Sequence, residues 1–207
     1  MIVNPAEIDN TLRYKVLIGS VVPRPIAWVS SMNREGALNL APFSFFTVAS
    51  TDPMTLIFCP QFAIKGGRPK DTLLNVQDVP EFVINLTNED TAEAMNRTAT
   101  ELPRGESEFA WAGVTPLPSQ TIRVPRVAEA PIAFECRLQR VVMISDQPGG
   151  GAVVFGEVQM IHLRDDLYSA NGRIALDLLK PIARLAGASY ARVTDTFDLE
   201  RIPPPLA

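Results

Sequence analysis

Residues 21–31 read VVPRPIAWVSS, and residues 39–47 read NLAPFSFFT. Each segment sets prolines beside a short apolar run that is rich in β-branched and aromatic residues. Runs of this kind, bounded by proline, glycine or asparagine, are typical of β-strands. The same pattern predicts strands at residues 14–18, 26–31, 44–49, 54–59, 82–86, 134–139 and 152–163.

Helices are fewer in the predicted fold. One is expected to start at Asp71 or Thr72, either of which can cap a first turn. A second covers residues 91–100. A third covers residues 174–185, with Pro181 inside it and Gly187 as a C-cap. Many short strands without regular strand–helix alternation favour an antiparallel β-barrel, so the predicted class is mainly β.

No repeat or linker divides the sequence. Residues 1–207 are therefore expected to form one domain, with a C-terminal helical extension from about residue 172. The N-terminus lacks the basic and apolar regions of a signal peptide, and no uncharged run is long and apolar enough to span a bilayer. These features predict a cytoplasmic protein that does not contact membranes.

The composition excludes further classes of function. The 207 residues include 19 Lys and Arg against 23 Asp and Glu, a net charge of −4. This balance argues against a nucleic-acid-binding protein, because such proteins need a cationic surface. Cys59, Cys136 and one histidine are too few for a metal cluster. The common phosphate-loop, dinucleotide-binding and serine-hydrolase motifs are absent from the sequence.

Three segments together predict a ligand with a flat aromatic part and an anionic tail. Residues 21–31 and 39–47 supply apolar walls, and residues 65–72, KGGRPKDT, supply three cations before a predicted helix start. Cations, hydroxyls and helix N-terminal N–H groups bind phosphate, and apolar walls bind a planar heterocycle. Flavin mononucleotide (FMN) has both parts. The cations also fit a solvated loop, and the phenylalanines also fit the core.

Two late strands carry polar residues of interest. Residues 134–139 alternate apolar and polar side chains, which predicts one dry face and one solvent-exposed face. In the following strand His162 shares parity with Val158 and Met160, so period-two geometry directs it toward the apolar side. It is then either a hydrogen-bonded interior histidine or a polar group at the wall of a ligand pocket.

The chain resembles the flavin reductase-like, FMN-binding split-barrel family. The similarity is carried by residues 21–31, Gly36 and residues 39–46, by the turn at residues 50–54, and by Lys70, Asp71, Thr72 and Asn75. Gly156, Glu157 and Val158 followed by His162 resemble a late barrel strand of the family. Residues 181–190 are similar to the ending of its flavoredoxin-like branch, from which Ala186 and Ser189 depart.

This resemblance implies a homodimer that binds FMN, or alternatively FAD, and transfers hydride from NADH or NADPH to flavin. Reduced flavin often supplies a partner monooxygenase in this family. Family members that act as FMN electron carriers, without direct turnover of NAD(P)H, give an alternative function. A split barrel that binds no flavin is a third possibility.

The resemblance also assigns site residues by position. The flavin ring and ribityl chain are assigned to Ala27, Trp28, Val29, Ser30, Ser31, Pro42, Phe43 and Ser44. The phosphate is assigned to Ser30, Ser31, Lys70 and Thr72, and Asn39 and Ser50 belong to the same cofactor site. Arg24 is expected at the phosphate or at the dimer contact. His162 is the candidate catalytic residue, beside the flavin or the nicotinamide, and no metal ligand is assigned.

Overall fold

A computed structural model describes residues 1–103, 105–169 and 171–202. The strands in this part of the chain are β1 (Ala27–Met32), β2 (Leu38–Phe43), β3 (Phe46–Thr51), β4 (Met54–Phe58), β5 (Glu81–Leu86), β6 (Pro116–Leu117), β7 (Arg126–Val127), β8 (Ile132–Ser145), β9 (Gly151–Leu163), β10 (Ile182–Arg184) and β11 (Tyr190–Arg192). The α-helices are α1 (Asn10–Ser20), α2 (Asp71–Asp78), α3 (Ala92–Arg97), α4 (Glu108–Ala112) and α5 (Leu176–Leu179). Short 3-10 turns lie at Pro5–Glu7 and Asp165–Leu167.

Seven strands form one antiparallel sheet in the order β2-β1-β5-β8-β9-β4-β3. The sheet curls around a shared core, because Phe43 at one edge reaches Phe58 near the other edge with ring centroids 5.1 Å apart. Phe58 in turn meets Phe82 edge-on at 5.5 Å. The prediction of a mainly β, antiparallel fold is confirmed.

Strand β1 is buried on both faces. Ala27 and Val29 point into the core inside the curled sheet, whereas Trp28 lies in a second core with Met95 of α3 and Phe109 of α4. All of these side chains are almost fully excluded from solvent. Helices α3 and α4 therefore cover the outer face of the β1–β2 edge, which explains the continuous apolar run.

The predicted strand at residues 14–18 is wrong, because these residues lie in α1. The carboxylate of Asp9 accepts a hydrogen bond of 2.7 Å from the N–H of Leu12 and caps this helix. An N-cap of this type stabilises a helix by roughly 1 kcal/mol. Ile18 is the buried residue of α1, so most of the apolar side chains of α1 face outward.

The predicted helix at residues 174–185 is also wrong beyond α5. Lys180 adopts a left-handed conformation (φ 48°) directly before Pro181, and the chain then enters β10, which pairs with β11. Proline cannot continue the helical hydrogen bonding, and pairing of β10 with β11 takes its place. Gly187 (φ +59°) lies in the turn of this hairpin and is not a helix C-cap. Residues 104, 170 and 203–207 of the expected 1–207 domain lie outside the described residues.

The predicted exposed face of residues 134–139 is covered at one position. Glu135 has no solvent exposure because the segment 119–124 lies across it. Arg137 and Gln139, further along β8, are exposed as expected. Alternation along a strand identifies its two faces but does not identify which loop covers them.

Gly156 gives a test of the core inside the sheet. A Cβ atom at this position would lie 2.3 Å from Cζ of Phe82, so Gly156→Ala is expected to lower the free energy of unfolding by about 1–3 kcal/mol through overpacking. Urea unfolding, monitored by circular dichroism, measures this free energy. Gly19→Ala in α1, where nothing lies within 4 Å, is the control and is expected to be neutral or stabilising. Equal stability of the two variants would contradict close packing of Phe82 against Gly156.

Among the described residues, no helix combines the length and hydropathy that crossing a membrane requires.

Candidate functional site

Two adjoining cavities lie on either side of Lys70. The first has a volume of about 340 Å³ and is bordered by residues from β2, from the loop before α2 and from the segment 98–102. The second, of about 720 Å³, is bordered by α1, the segment 59–64 and the turn between β8 and β9. Both include Ala63 and Lys70 in their walls. A ligand with two chemically different parts can therefore extend past Lys70 from one cavity to the other.

The start of α2 forms one wall of the first cavity. The N-cap residue is Lys70, whose backbone is extended, and no side chain of the described residues caps the helix. The prediction of a cap at Asp71 or Thr72 is wrong, because the Thr72 hydroxyl instead accepts a hydrogen bond of 2.9 Å from Nδ2 of Asn39. First-turn N–H groups that no side chain caps are suited to an anion.

Charges of both signs surround the first cavity. Lys65, Arg68 and Lys70 border it, and so do Asp71, Glu101 and Glu108. The ammonium of Lys70 donates to the Glu101 carboxylate at 2.5 Å, a contact that lowers the pKa of Glu101. An anionic ligand at Lys70 would therefore compete with Glu101 for this ammonium.

Glu108 is a buried carboxyl at the edge of the same cavity. Its Oε2 accepts a hydrogen bond of 2.9 Å from the N–H of Leu40 in β2. Burial raises the pKa of Glu108, and this hydrogen bond opposes part of that rise. The side chain joins α4 to β2 and fixes the cavity wall that contains Pro42 and Phe43.

The second cavity has mainly apolar walls. Tyr14 and Leu17 of α1 border it, together with Phe45, Phe62 and Ile144. The turn between β8 and β9 is held against the opposite wall by a hydrogen bond of 2.8 Å from the Phe62 N–H to the Gly150 carbonyl. A Cβ atom at Gly151 would lie 2.7 Å from the Pro60 carbonyl, so only glycine permits this approach. Such walls suit a planar, largely apolar group.

Five residues assigned from the sequence border the first cavity: Asn39, Pro42, Phe43, Lys70 and Thr72. Asn39 links two of the assigned hydroxyls, since its Nδ2 donates to Thr72 at 2.9 Å and to Ser31 at 3.4 Å. Ser31 itself is fully buried and also accepts a hydrogen bond from Asn75. Ser31 does not border the first cavity, and it supports the cavity wall through its hydrogen bond with Asn39.

Four other assigned residues of β1 are buried away from both cavities. Ala27 and Val29 lie in the core inside the sheet. The indole N–H of Trp28 donates to the Thr98 hydroxyl at 2.8 Å, and the Ser30 hydroxyl donates to the Pro125 carbonyl at 2.7 Å. The structure brings none of these four to the cavity walls.

Arg24 holds three backbone segments together. Its guanidinium donates to the carbonyls of Ile18 (2.7 Å), Val21 (2.6 Å) and Leu185 (3.0 Å), and to the Ser44 hydroxyl at 3.3 Å. Burial lowers the pKa of Arg24. Neither Arg24 nor Ser44 borders the two cavities, although the guanidinium lies 5.8 Å from the centroid of the Phe45 ring.

Ser50 lies at the far end of the β3–β4 hairpin. Its hydroxyl accepts a hydrogen bond of 3.1 Å from the N–H of Asp52 and stabilises the turn. The structure does not bring it to either cavity.

His162 occupies the face of β9 opposite to the one predicted. Cys136 pairs with Val158 whereas Glu135 pairs with Met160, so Gln159 is an extra residue and the side-chain parity changes at this β-bulge. Nε2 of His162 lies 2.6 Å from Oε1 of Glu135. His162 borders a separate cavity of about 370 Å³, not the two beside Lys70. Its catalytic role stays a prediction.

The sequence reasoning missed several residues of the two cavities. Tyr14 and Leu17 were assigned to a strand, and the Asp9 cap is the signal that would have placed them on a helix. Glu101 and Glu108 belong to no recognisable motif. They enter the site because α4 and the segment before it fold back over β2.

Comparison with known proteins adds to this geometry. Residues 18–190 match the family model described as a flavin reductase like domain. The chain is similar to nitrilotriacetate monooxygenase component B from Bacillus cereus, with 39% identity, coverage of 96% of this chain and 98% of that one, and a TM-score of 0.91. It is also similar to the 2-nitrobenzoate 2-nitroreductase NbaA of Pseudomonas fluorescens, with 35% identity, coverage of 100% and 98%, and a TM-score of 0.87.

A more distant solved structure shares the fold alone. Flavoredoxin of Desulfovibrio vulgaris (Miyazaki F) is 18% identical, with a TM-score of 0.72 over 86% of this chain and 91% of that one.

Proposed function

Since the chain belongs to the flavin reductase-like family, as its sequence motifs predicted, we propose that it binds FMN in the two cavities beside Lys70. The observation that carries the proposal is the position of Lys70, at a helix start that no described side chain caps and between a cavity bordered by charged residues and a mainly apolar one. The phosphate would lie near Lys70, Thr72 and the first turn of α2. The ring would lie toward Phe45, Phe62 and Tyr14.

The cavities fit such a ligand in size and chemistry. Volumes of about 340 and 720 Å³ lie within the usual range for cofactor pockets. Lysine, a hydroxyl and the N–H groups at a helix N-terminus are phosphate ligands, and aromatic and aliphatic side chains accept a flat heterocycle. FAD is the alternative flavin.

Bound flavin would supply the hydride-accepting chemistry, so the chain's own residues have only to bind, orient and exclude water. Lys70 would offset part of the phosphate charge and fix one end of the ligand. The apolar side chains of α1 and Phe62 exclude water from the other end. Glu108 and Asn39, which also border the first cavity, hold its walls in place through their hydrogen bonds with the Leu40 N–H and the Thr72 hydroxyl.

We propose NADH or NADPH as the electron donor and a homodimer as the functional form. The reduced flavin would pass to a monooxygenase, since a neighbour with 39% identity is a monooxygenase component B. A cytoplasmic location is consistent with these substrates. The runner-up is an FMN electron carrier that NAD(P)H does not reduce directly.

Two measurements test the proposal. FMN is titrated into the purified protein, and the complex is then mixed with NADH or NADPH without oxygen while absorbance near 450 nm is followed. Saturable binding and rapid bleaching support the reductase. Binding without bleaching supports the carrier, and no binding of FMN or FAD overturns the proposed function. Size-exclusion chromatography with light scattering tests the dimer.

Lys70→Ala is expected to weaken FMN binding by about 1.5–3 kcal/mol, which is roughly 10- to 150-fold in Kd, because a hydrogen bond to the phosphate is lost. Glu101→Gln is expected to tighten FMN binding by up to about fivefold. It removes the carboxylate that competes for Lys70, and an exposed ion pair contributes only about 0.2–1 kcal/mol. Fluorescence titration measures both affinities.

Lys15→Ala is the matched control for charge, since Lys15 is exposed on α1 and borders neither cavity. Its FMN affinity is expected to equal that of the wild type. If Lys70→Ala binds FMN as tightly as the control, the phosphate does not lie at Lys70.

A further inference from the structure

A third cavity lies away from the two beside Lys70. It has a volume of about 370 Å³ and is bordered by β7, the segment before β8 and the end of β9. Its polar side chains are Arg126, Glu129, His162 and Arg164, and its walls also include Pro131 and Ile161. It shares no bordering residue with the other two cavities.

Arg126 has no ion-pair partner in this cavity among the residues that the structure describes. Its Nε atom is buried and has no hydrogen-bond partner in the same part of the chain. Arginine remains charged at every physiological pH. An unsatisfied donor of a charged group is unfavourable, so an anionic partner at the Arg126 guanidinium would be stabilising.

The other polar side chains of the cavity already have hydrogen-bond partners. Arg164 donates to Asp166 at 2.6 Å and to the Leu178 carbonyl at 3.0 Å. Both carboxylate oxygens of Glu129 accept from the Thr115 N–H, at 3.0 and 3.1 Å. His162 uses Nε2 toward Glu135, which leaves Nδ1 as a further hydrogen-bonding atom.

We propose that this cavity binds the carboxylate of a small organic acid. The planar guanidinium of Arg126 matches a carboxylate in bidentate geometry, and the imidazole of His162 adds a polar contact. The hydrocarbon part of the acid lies against Pro131, Ile161 and Leu163, which are apolar walls. This site is independent of the flavin site and does not rest on the proposed function.

Benzoate is a suitable probe, with benzamide as its neutral counterpart and inorganic phosphate as a second anion. The chain contains one histidine, so the imidazole NMR signals of the protein, with any purification tag removed, report on His162 alone. Benzoate is expected to shift these signals saturably and to bind at least about tenfold more tightly than benzamide or phosphate.

Arg126→Gln is expected to weaken benzoate binding by about tenfold or more, and Arg126→Lys by a smaller factor, because lysine keeps the charge but lacks the bidentate fork. Arg123→Gln is the control: Arg123 is largely exposed, pairs with Glu81 and does not border the cavity. Unchanged benzoate affinity in Arg126→Lys and Arg126→Gln, or no shift of the His162 signals in the wild type, overturns the proposal. Equal affinities for phosphate and benzoate overturn the assignment to carboxylates.

Discussion

Replacement of Arg24 by methionine is expected to lower the free energy of unfolding by at least about 3 kcal/mol, since each of the three carbonyls that loses its donor costs roughly 1–3 kcal/mol. Arg24 is 5% exposed and donates to the end of α1, to the segment after it and to the turn of the β10–β11 hairpin. Methionine keeps the apolar volume but leaves three backbone carbonyls without a donor. Urea or thermal unfolding measures the loss.

Arg34→Met is the matched control for this variant. Arg34 is 71% exposed and pairs with Asp78 at the surface, so its loss is expected to cost no more than about 1 kcal/mol. Equal stability of the two variants would mean that the Arg24 contacts contribute little to stability.

Arg24→Lys separates this structural role from the phosphate role predicted from the sequence. Lysine can keep part of the hydrogen bonding, so this variant is expected to remain folded. Its FMN affinity is expected to stay within about threefold of the wild type, a change of less than 1 kcal/mol. A loss as large as that of Lys70→Ala would instead assign Arg24 to the phosphate.

The strands were predictable from the sequence where local pattern and final pairing agree. The apolar runs at residues 54–59 and 82–86 match β4 and β5 to within one residue. The run at residues 14–18 has a similar composition. Asp9 precedes it and caps a helix, so these residues form part of α1 and not a strand. At residues 182–184 the outcome depends on pairing with residues 190–192, which composition does not reveal.

The candidate site was predictable only in part, because the sequence motifs identify its residues but not the direction in which each side chain faces. Motif residues such as Pro42 and Lys70 lie next to the start of α2, and the structure brings them together. Trp28 and Ser30 belong to the same motif, but they face α3 and the segment before β7, which no strand pattern can identify. His162 was placed on the wrong face because one extra residue, Gln159, reverses the alternation.

Glu135 is expected to make stability depend on pH in the acid range. Burial by itself would raise the pKa of this carboxyl. Hydrogen bonds from the Thr121 hydroxyl, the Gln120 N–H, His162 and the Thr121 N–H outweigh that effect and lower the pKa from 4.5 to about 2. A carboxyl whose pKa falls from 4.5 to about 2 on folding contributes about 3 kcal/mol of stability at neutral pH.

The direction of the effect follows from proton binding. Between pH 4.5 and about 2 the unfolded chain binds a proton at Glu135 and the folded chain does not, so acid favours unfolding. The contribution is complete above about pH 4.5 and is lost as the pH falls toward about 2. Glu135→Gln removes this contribution to stability, because an amide group has one oxygen that can accept hydrogen bonds where the carboxylate has two.

The measured quantity is the difference in unfolding free energy between the wild type and Glu135→Gln. The contribution of the other carboxyls cancels in this difference. Wild type and Glu135→Gln are unfolded with urea at about pH 7 and at about pH 3, and the gap of about 3 kcal/mol at the higher pH is expected to narrow in acid. Glu35→Gln, an exposed residue in the β1–β2 turn, is the control and should follow the wild type at both values. A gap that is independent of pH would show that Glu135 acts through packing alone. The narrowing gap would instead assign it to the charged hydrogen bonds that hold residues 120–121 over the sheet and fix the ring of His162.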